Sequence, residues 1–186
     1  MSTRREARAA REASELDEIE ETLVSHGRPS EAERLVARLR ELGWTIGVAE
    51  SLTGGLVAAS IVSVSGASAV LRGGVVAYAT DVKQSVLEVD ETLLAAHGPV
   101  HPRVARQMAD GVRKVMGRGG EPADVGIATT GIAGPMSPDG QPVGTVHIAV
   151  ATPLGSRVES LVLAGERDQI RAEAAALALR LALDAL

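Results

Sequence analysis

Three short segments of this 186-residue chain place small and polar residues at the ends of apolar runs: VAESLTGG at 48–55, VAYATDVK at 76–83 and ATTGIAGP at 128–135. In an open α/β sheet, ligands collect outside strand ends, so three such ends can line one pocket. Ser51 falls where the first run turns into a helix. A hydroxyl there is either a nucleophile, with helix-start N–H groups at hand to hold an oxyanion, or an N-cap that satisfies those same groups. A serine nucleophile needs a base, and Lys83 can be one if it is drawn into a low-dielectric pocket, because burial disfavours its charged form. On the surface it is only a solvated cation. Tyr78, the single tyrosine, stands five residues before the lysine and can hydrogen-bond either group, or fill the core with its hydroxyl at the rim. Gly54 and Gly55 permit close approach of backbone to a ligand, or of one helix to another.

Other chemistries lose their usual signatures. No Gly-Lys-Ser/Thr follows the glycines and no G-x-G-x-x-G occurs, which argues against nucleotide hydrolysis and dinucleotide redox chemistry. The chain has no cysteine, so thiol catalysis, iron–sulfur clusters and Cys-ligated zinc are excluded. Of its four histidines, His97 and His101 are four apart, but Gly98 and Pro99 between them spoil a helical metal pair. His26 lies in a polar region and His147 on a strand, and all four read as structural or solvated. The formal charge is −5 and the aromatic residues are Trp44 and Tyr78 alone, a poor match to nucleic-acid binding. No run approaches the ~18 apolar residues of a membrane span, and the N-terminus lacks a secretory signal's apolar stretch; a cytoplasmic protein is expected.

The elements that must position these residues follow from periodicity. Residues 1–28 are rich in alternating charge and read as a solvated helix or arm. Ser30 and Glu33 form a capping-box pattern, followed by Leu35, Val36, Leu39 and Leu42 on one helical face and Gly43 at the stop. Strands are expected at 44–49, 73–78, 124–130, 143–151 and 157–163. Helices are expected at 56–62, 81–89, 91–96, 103–116 and 167–186, with Asp90 capping one and Pro102 opening another. Early alternation of helix and strand, then strands joined through Pro153-Leu154-Gly155-Ser156, predicts a three-layer α/β/α sandwich with a mixed, mostly parallel sheet and at least one antiparallel neighbour. The domain is expected to occupy 29–186.

Six ordered blocks, AESLTGG, GGVVAYATDVK, HGPV, TGIAGP, PVGTV and GERD, resemble the CinA C-terminal-domain family, which includes the nicotinamide mononucleotide deamidases (PncC). The resemblance covers about residues 30–186. It implies the same three-layer fold and a hydrolase that converts nicotinamide mononucleotide to nicotinic acid mononucleotide and ammonia, with no metal or cofactor. The family's nucleophilic serine, in E-S-C-T-G-G, matches Ser51. Its tyrosine and lysine, in Y-S-N-E-A-K, match Tyr78 and Lys83. The resemblance sets Glu50, Thr53, Gly54, Gly55, Thr130, Gly131, Ala133, Gly134 and Arg167 around the substrate. The expected mechanism has neutral Lys83 take the Ser51 proton, with helix-start N–H groups holding the oxyanion. Family members commonly self-associate, which makes a homodimer the expectation. The larger N-terminal domain that some CinA proteins carry has no counterpart in these residues, so its pyrophosphatase-type activity is not expected of them.

The chain departs from the family's pattern at several places. Leu52 replaces the usual cysteine, Thr80 and Asp81 replace an asparagine and a glutamate, His147 stands where tryptophan is common, and Met136-Ser137-Pro138 alters the loop after Gly-Pro. These departures put the choice of amide in question rather than the serine chemistry. Two other functions therefore stay open: an amidase acting on a different small amide, and a nucleotide- or partner-binding module that keeps the pocket without turnover.

Overall fold

A computed structural model describes residues 29–137 and 140–186; the charged arm at 1–28 lies outside them. The first helix, α1 (Glu31–Leu42), buries Ala32, Leu35, Val36 and Leu39 at the spacing of one helical face. Strand β1 (Ile46–Glu50) follows and is buried along its whole length. It turns into α2 (Leu56–Val62), and a 3₁₀ turn (Ala67–Ala69) leads to β2 (Leu71–Val76). Helices α3 (Thr80–Leu87), α4 (Glu91–His97) and α5 (Pro102–Val115) come next. The Asp90 carboxylate accepts from the Leu93 N–H to cap α4, as its place in the sequence predicts. The chain closes with β3 (Val125–Gly131), β4 (Thr145–Thr152), β5 (Gly155–Val162) and α6 (Arg167–Asp184).

The strands form one sheet in the order β2-β1-β3-β4-β5. β1 runs parallel to both β2 and β3, while β4 is antiparallel to β3 and β5 antiparallel to β4. Four of the five strands thus point the same way and β4 alone is reversed, the mixed, mostly parallel sheet that the sequence predicts. Thr152 pairs with Gly155, so β4 and β5 form a hairpin with Pro153 and Leu154 as its two-residue loop.

Side chains alternate across a sheet, and the two faces build two cores. Val48, Ile127, Val146, Ile148 and Val150 face α1, α2 and α6. Ala49, Ala128, Ala149 and Ala151 face α3, α4 and α5, where small side chains let the helices approach closely. Gly126 takes this furthest: a Cβ there would lie 2.1 Å from the Ala109 carbonyl of α5. The result is three layers, α/β/α. Among the described residues no helix is long and apolar enough to cross a membrane.

Candidate active site

The site lies beyond the C-terminal ends of β1, β2 and β3, where an open parallel sheet leaves room between the helices that follow its strands. Strand β2 stops at Val76, so the carbonyls of Ala77 and Tyr78 have no strand partner. Both are met by Lys83 from the first turn of α3: its Nζ lies 2.6 Å from the Ala77 oxygen and 3.4 Å from that of Tyr78. The same Nζ lies 3.1 Å from the Ser51 hydroxyl oxygen. Lys83 is 1% exposed, the largest fully buried side chain among the described residues, and Ser51 is 8% exposed. Burial pushes the Lys83 ammonium down from 10.5 to about 8. A neutral amine has two N–H groups and one lone pair, and this environment supplies two carbonyls and one hydroxyl. The three oxygens suit the three donors of the ammonium, and once the proton is lost the amine can keep both carbonyl bonds and accept the Ser51 proton.

A cavity of about 180 Å³ opens over this pair. Ser51, Tyr78, Lys83, Thr130, Gly131, Ala133, Gly134 and Arg167, all expected from the sequence, line it together. Tyr78 is 64% exposed, which removes the core-filler reading. Its hydroxyl accepts from Arg167 at 3.4 Å, and Arg167 also donates to the Gly134 carbonyl at 2.5 Å, so these two side chains form the rim. Thr130 is buried and donates to the Pro99 carbonyl at 2.8 Å. That bond draws in the loop between α4 and α5, which adds Pro99 and Val100 to the wall. Leu52, Ile132 and Met136 complete it. These five were not singled out as site residues. Pro99 and Val100 belong to the HGPV block and Ile132 to TGIAGP, so the motifs themselves were the available signal.

Glu50, Thr53, Gly54 and Gly55 do not line the cavity. Glu50 precedes Ser51 by one residue, and alternation sends it to the other face. There its buried carboxylate accepts from the N–H groups of Gly55 at 2.8 Å, Val57 at 3.1 Å and Ala58 at 2.8 Å. This corrects the expectation that helix-start N–H groups hold an oxyanion: at α2 they already hold an anion, the side chain of Glu50. Thr53 is fully buried and shares a 2.7 Å hydrogen bond with Thr129. Gly54 and Gly55 have φ of 63° and 106°, left-handed values that turn the chain from β1 into α2. Ser51 itself is not the cap of this helix. Arg171 of α6 braces the turn from outside, donating to the Leu52 carbonyl at 3.0 Å and that of Thr53 at 3.1 Å.

The departures that put the substrate in question also have places. Thr80 begins α3 on the surface, and His147 is buried on β4 with its Nδ1 2.8 Å from the Ser160 hydroxyl; neither is on the cavity wall. Leu52 and Met136 are. His97 and His101 stack with ring centroids 4.6 Å apart, and His101 Nδ1 accepts from the Arg103 N–H to cap α5. Burial is the main cause that lowers the affinity of His101 and His147 for protons.

Fold and site together define a three-layer α/β/α protein with a buried serine–lysine pair at its strand ends. Residues 29–186 match the model of the CinA C-terminal domain, and the chain belongs to that family. A CinA-like protein of Frankia casuarinae is 52% identical over 137 residues, 74% of this chain and 30% of that protein. A CinA-like protein of Geobacter sulfurreducens is 42% identical over 190 residues, 96% of this chain and 45% of its own length. The chain thus spans less than half the length of these curated relatives. Among solved structures, a CinA superfamily protein from Escherichia coli superposes with a TM-score of 0.78 at 30% identity, covering 84% of this chain and 88% of that one. The competence/damage inducible protein CihA from Agrobacterium tumefaciens gives a TM-score of 0.74 at 33% identity, covering 84% and 97%.

Proposed function

We propose that this domain is an amidohydrolase that deamidates nicotinamide mononucleotide, with Ser51 as nucleophile and Lys83 as its base. The observation that carries the reading is the buried Lys83 amine 3.1 Å from the Ser51 hydroxyl at the floor of a cavity. Neutral Lys83 takes the Ser51 proton as the serine oxygen attacks the carboxamide carbon. The protonated lysine then gives its proton to the departing nitrogen, and ammonia leaves an acyl-serine. Water, deprotonated by Lys83, attacks the ester carbon; the carboxylic acid is released and Ser51 regains its proton. With the α2 N–H groups taken by Glu50, backbone N–H groups of the cavity wall at Leu52, Ala133 and Gly134 are the candidates to hold the oxyanion.

The size of the cavity is consistent with this substrate held in part. Pockets that enclose a whole drug-sized ligand run to roughly 300–1,000 Å³, and this one is smaller. It takes the amide-bearing ring, leaving the phosphate at the exposed rim beside Arg167. A cytoplasmic reaction is part of this proposal.

Ammonia release from nicotinamide mononucleotide by the purified chain, with a chelator present and beside Ser51→Ala, tests the proposal. Ammonia that survives the chelator and disappears with Ser51 supports it; none from folded protein overturns it. Leu52 and Met136 on the wall favour a second reading, an amidase for another small amide. A panel of small amides, scored by ammonia release and by the rise in Tm that a ligand of the folded state produces, separates the two.

A further inference from the structure

The apolar side chains of the cavity wall come from two irregular stretches and from Leu52. Pro99 and Val100 belong to the link between α4 and α5, while Ile132, Ala133 and Met136 belong to the stretch that follows β3. That second stretch is closed at its base: the Ile132 N–H donates to the Thr145 carbonyl at 2.8 Å, and the Gly144 N–H donates to the Ile132 carbonyl at 2.8 Å. The first runs between the stacked rings of His97 and His101, outside any helix or strand, so its carbonyls need partners from elsewhere. Thr130 supplies one for Pro99. Gln141 supplies the other, its Nε2 donating to the Val100 carbonyl at 3.0 Å. Gln141 lies on the same stretch as Ile132 and Met136 but not on the cavity wall. Its bond to Val100 therefore ties one apolar wall to the other from outside the cavity.

We propose that Gln141 is a specificity-determining residue: by holding Val100 it fixes the spacing of the two apolar walls, and so selects groups carried on a ring over small acyclic ones. The proposal rests on the serine–lysine reading of the site. A ring held between the walls gains dispersion contacts with both, and a gap of about 0.5–1 Å on one side forfeits a quarter to a half of each contact. A small acyclic group spans too few wall atoms to register the change. Gln141 touches neither Ser51 nor Lys83, so loss of its bond weakens the fit of a ring without altering the reacting pair.

Two fluorophosphonates that label serine, one carrying a phenyl ring and one a methyl group, test this on the full chain at one fixed pH. Saturation kinetics give each probe's Kd before bonding and its rate of bonding to Ser51. The wild type is expected to hold the phenyl probe more tightly than the methyl probe. Gln141→Glu and Gln141→Met keep the length of the side chain and lose the donor, and their folding is checked by circular dichroism and Tm. Both are expected to raise the phenyl probe's Kd about five- to tenfold, the worth of one hydrogen bond. The bonding rate and the methyl probe's Kd should stay within about twofold. A wild type without preference for the phenyl probe, a preference that survives in both variants, or an equal loss for both probes would overturn the proposal. So would a change in Gln141→Glu that Gln141→Met does not share, since it would belong to the added charge. A folded wild type that neither probe labels at Ser51 overturns the serine–lysine reading itself, and this proposal with it.

Discussion

Glu50 and Ser51 are neighbours in sequence and opposites in the molecule. The Glu50 side of β1 is a closed hydrogen-bond network: three N–H groups at the start of α2, those of Gly55, Val57 and Ala58, on one carboxylate, Thr53 on Thr129, and Arg171 on the turn's carbonyls. On the Ser51 side, an amine buried without a carboxylate partner faces a hydroxyl and an open cavity. One side is satisfied and holds the shape. The other keeps a titrating group where it can react. A strand's period of two is what allows a structural anion and a reactive hydroxyl to be adjacent without neutralising the lysine.

If that division is right, substitutions on the two sides separate activity from stability. The largest effect is expected for Lys83→Met, which should lower kcat/KM by about a thousandfold or more. It should leave stability at neutral pH equal or higher, because a buried ammonium is costly. Because the folded state holds the Lys83 proton less tightly than the unfolded chain, wild-type stability should rise as pH goes from about 8 toward 10.5 and be flat just below that window. Urea titrations should show that rise vanish in Lys83→Met.

Glu50→Ala should do the reverse, costing about 3 kcal/mol by leaving buried N–H groups unpaired, measured as a lower urea midpoint at unchanged slope. Arg171→Ala should cost about 1–2 kcal/mol and lower kcat about tenfold at steady KM, since it frees the turn that aims Ser51. Thr53→Val should be smallest, about 1 kcal/mol with the rate within roughly twofold. A loss of activity in Thr53→Val as large as in Lys83→Met would break the comparison.

The same alternation explains what the sequence could show. Ser51, Tyr78 and Lys83 were legible because each lies at a run's end with a residue type suited to the task. Glu50, Thr53, Gly54 and Gly55 share the serine's motif, and motif membership says nothing about which face of the sheet a residue takes. The elements were legible to within a few residues, because Leu35, Val36 and Leu39, or Asp90 and Pro102, carry their own periodicity and caps. Pro99 and Val100 were hidden as wall residues, since what brings them in is one hydrogen bond from Thr130, 31 residues away.

The central claim is that buried Lys83 activates Ser51, and it can be tested without knowing the amide. A small fluorophosphonate that labels reactive serines would be applied across pH, with the site identified by peptide mass mapping. Labelling at Ser51 is expected to rise with pH to a plateau with a midpoint near 8, following the loss of the Lys83 proton, and to be nearly abolished in Lys83→Met. Labelling that ignores pH, or that persists undiminished in Lys83→Met, would contradict the account.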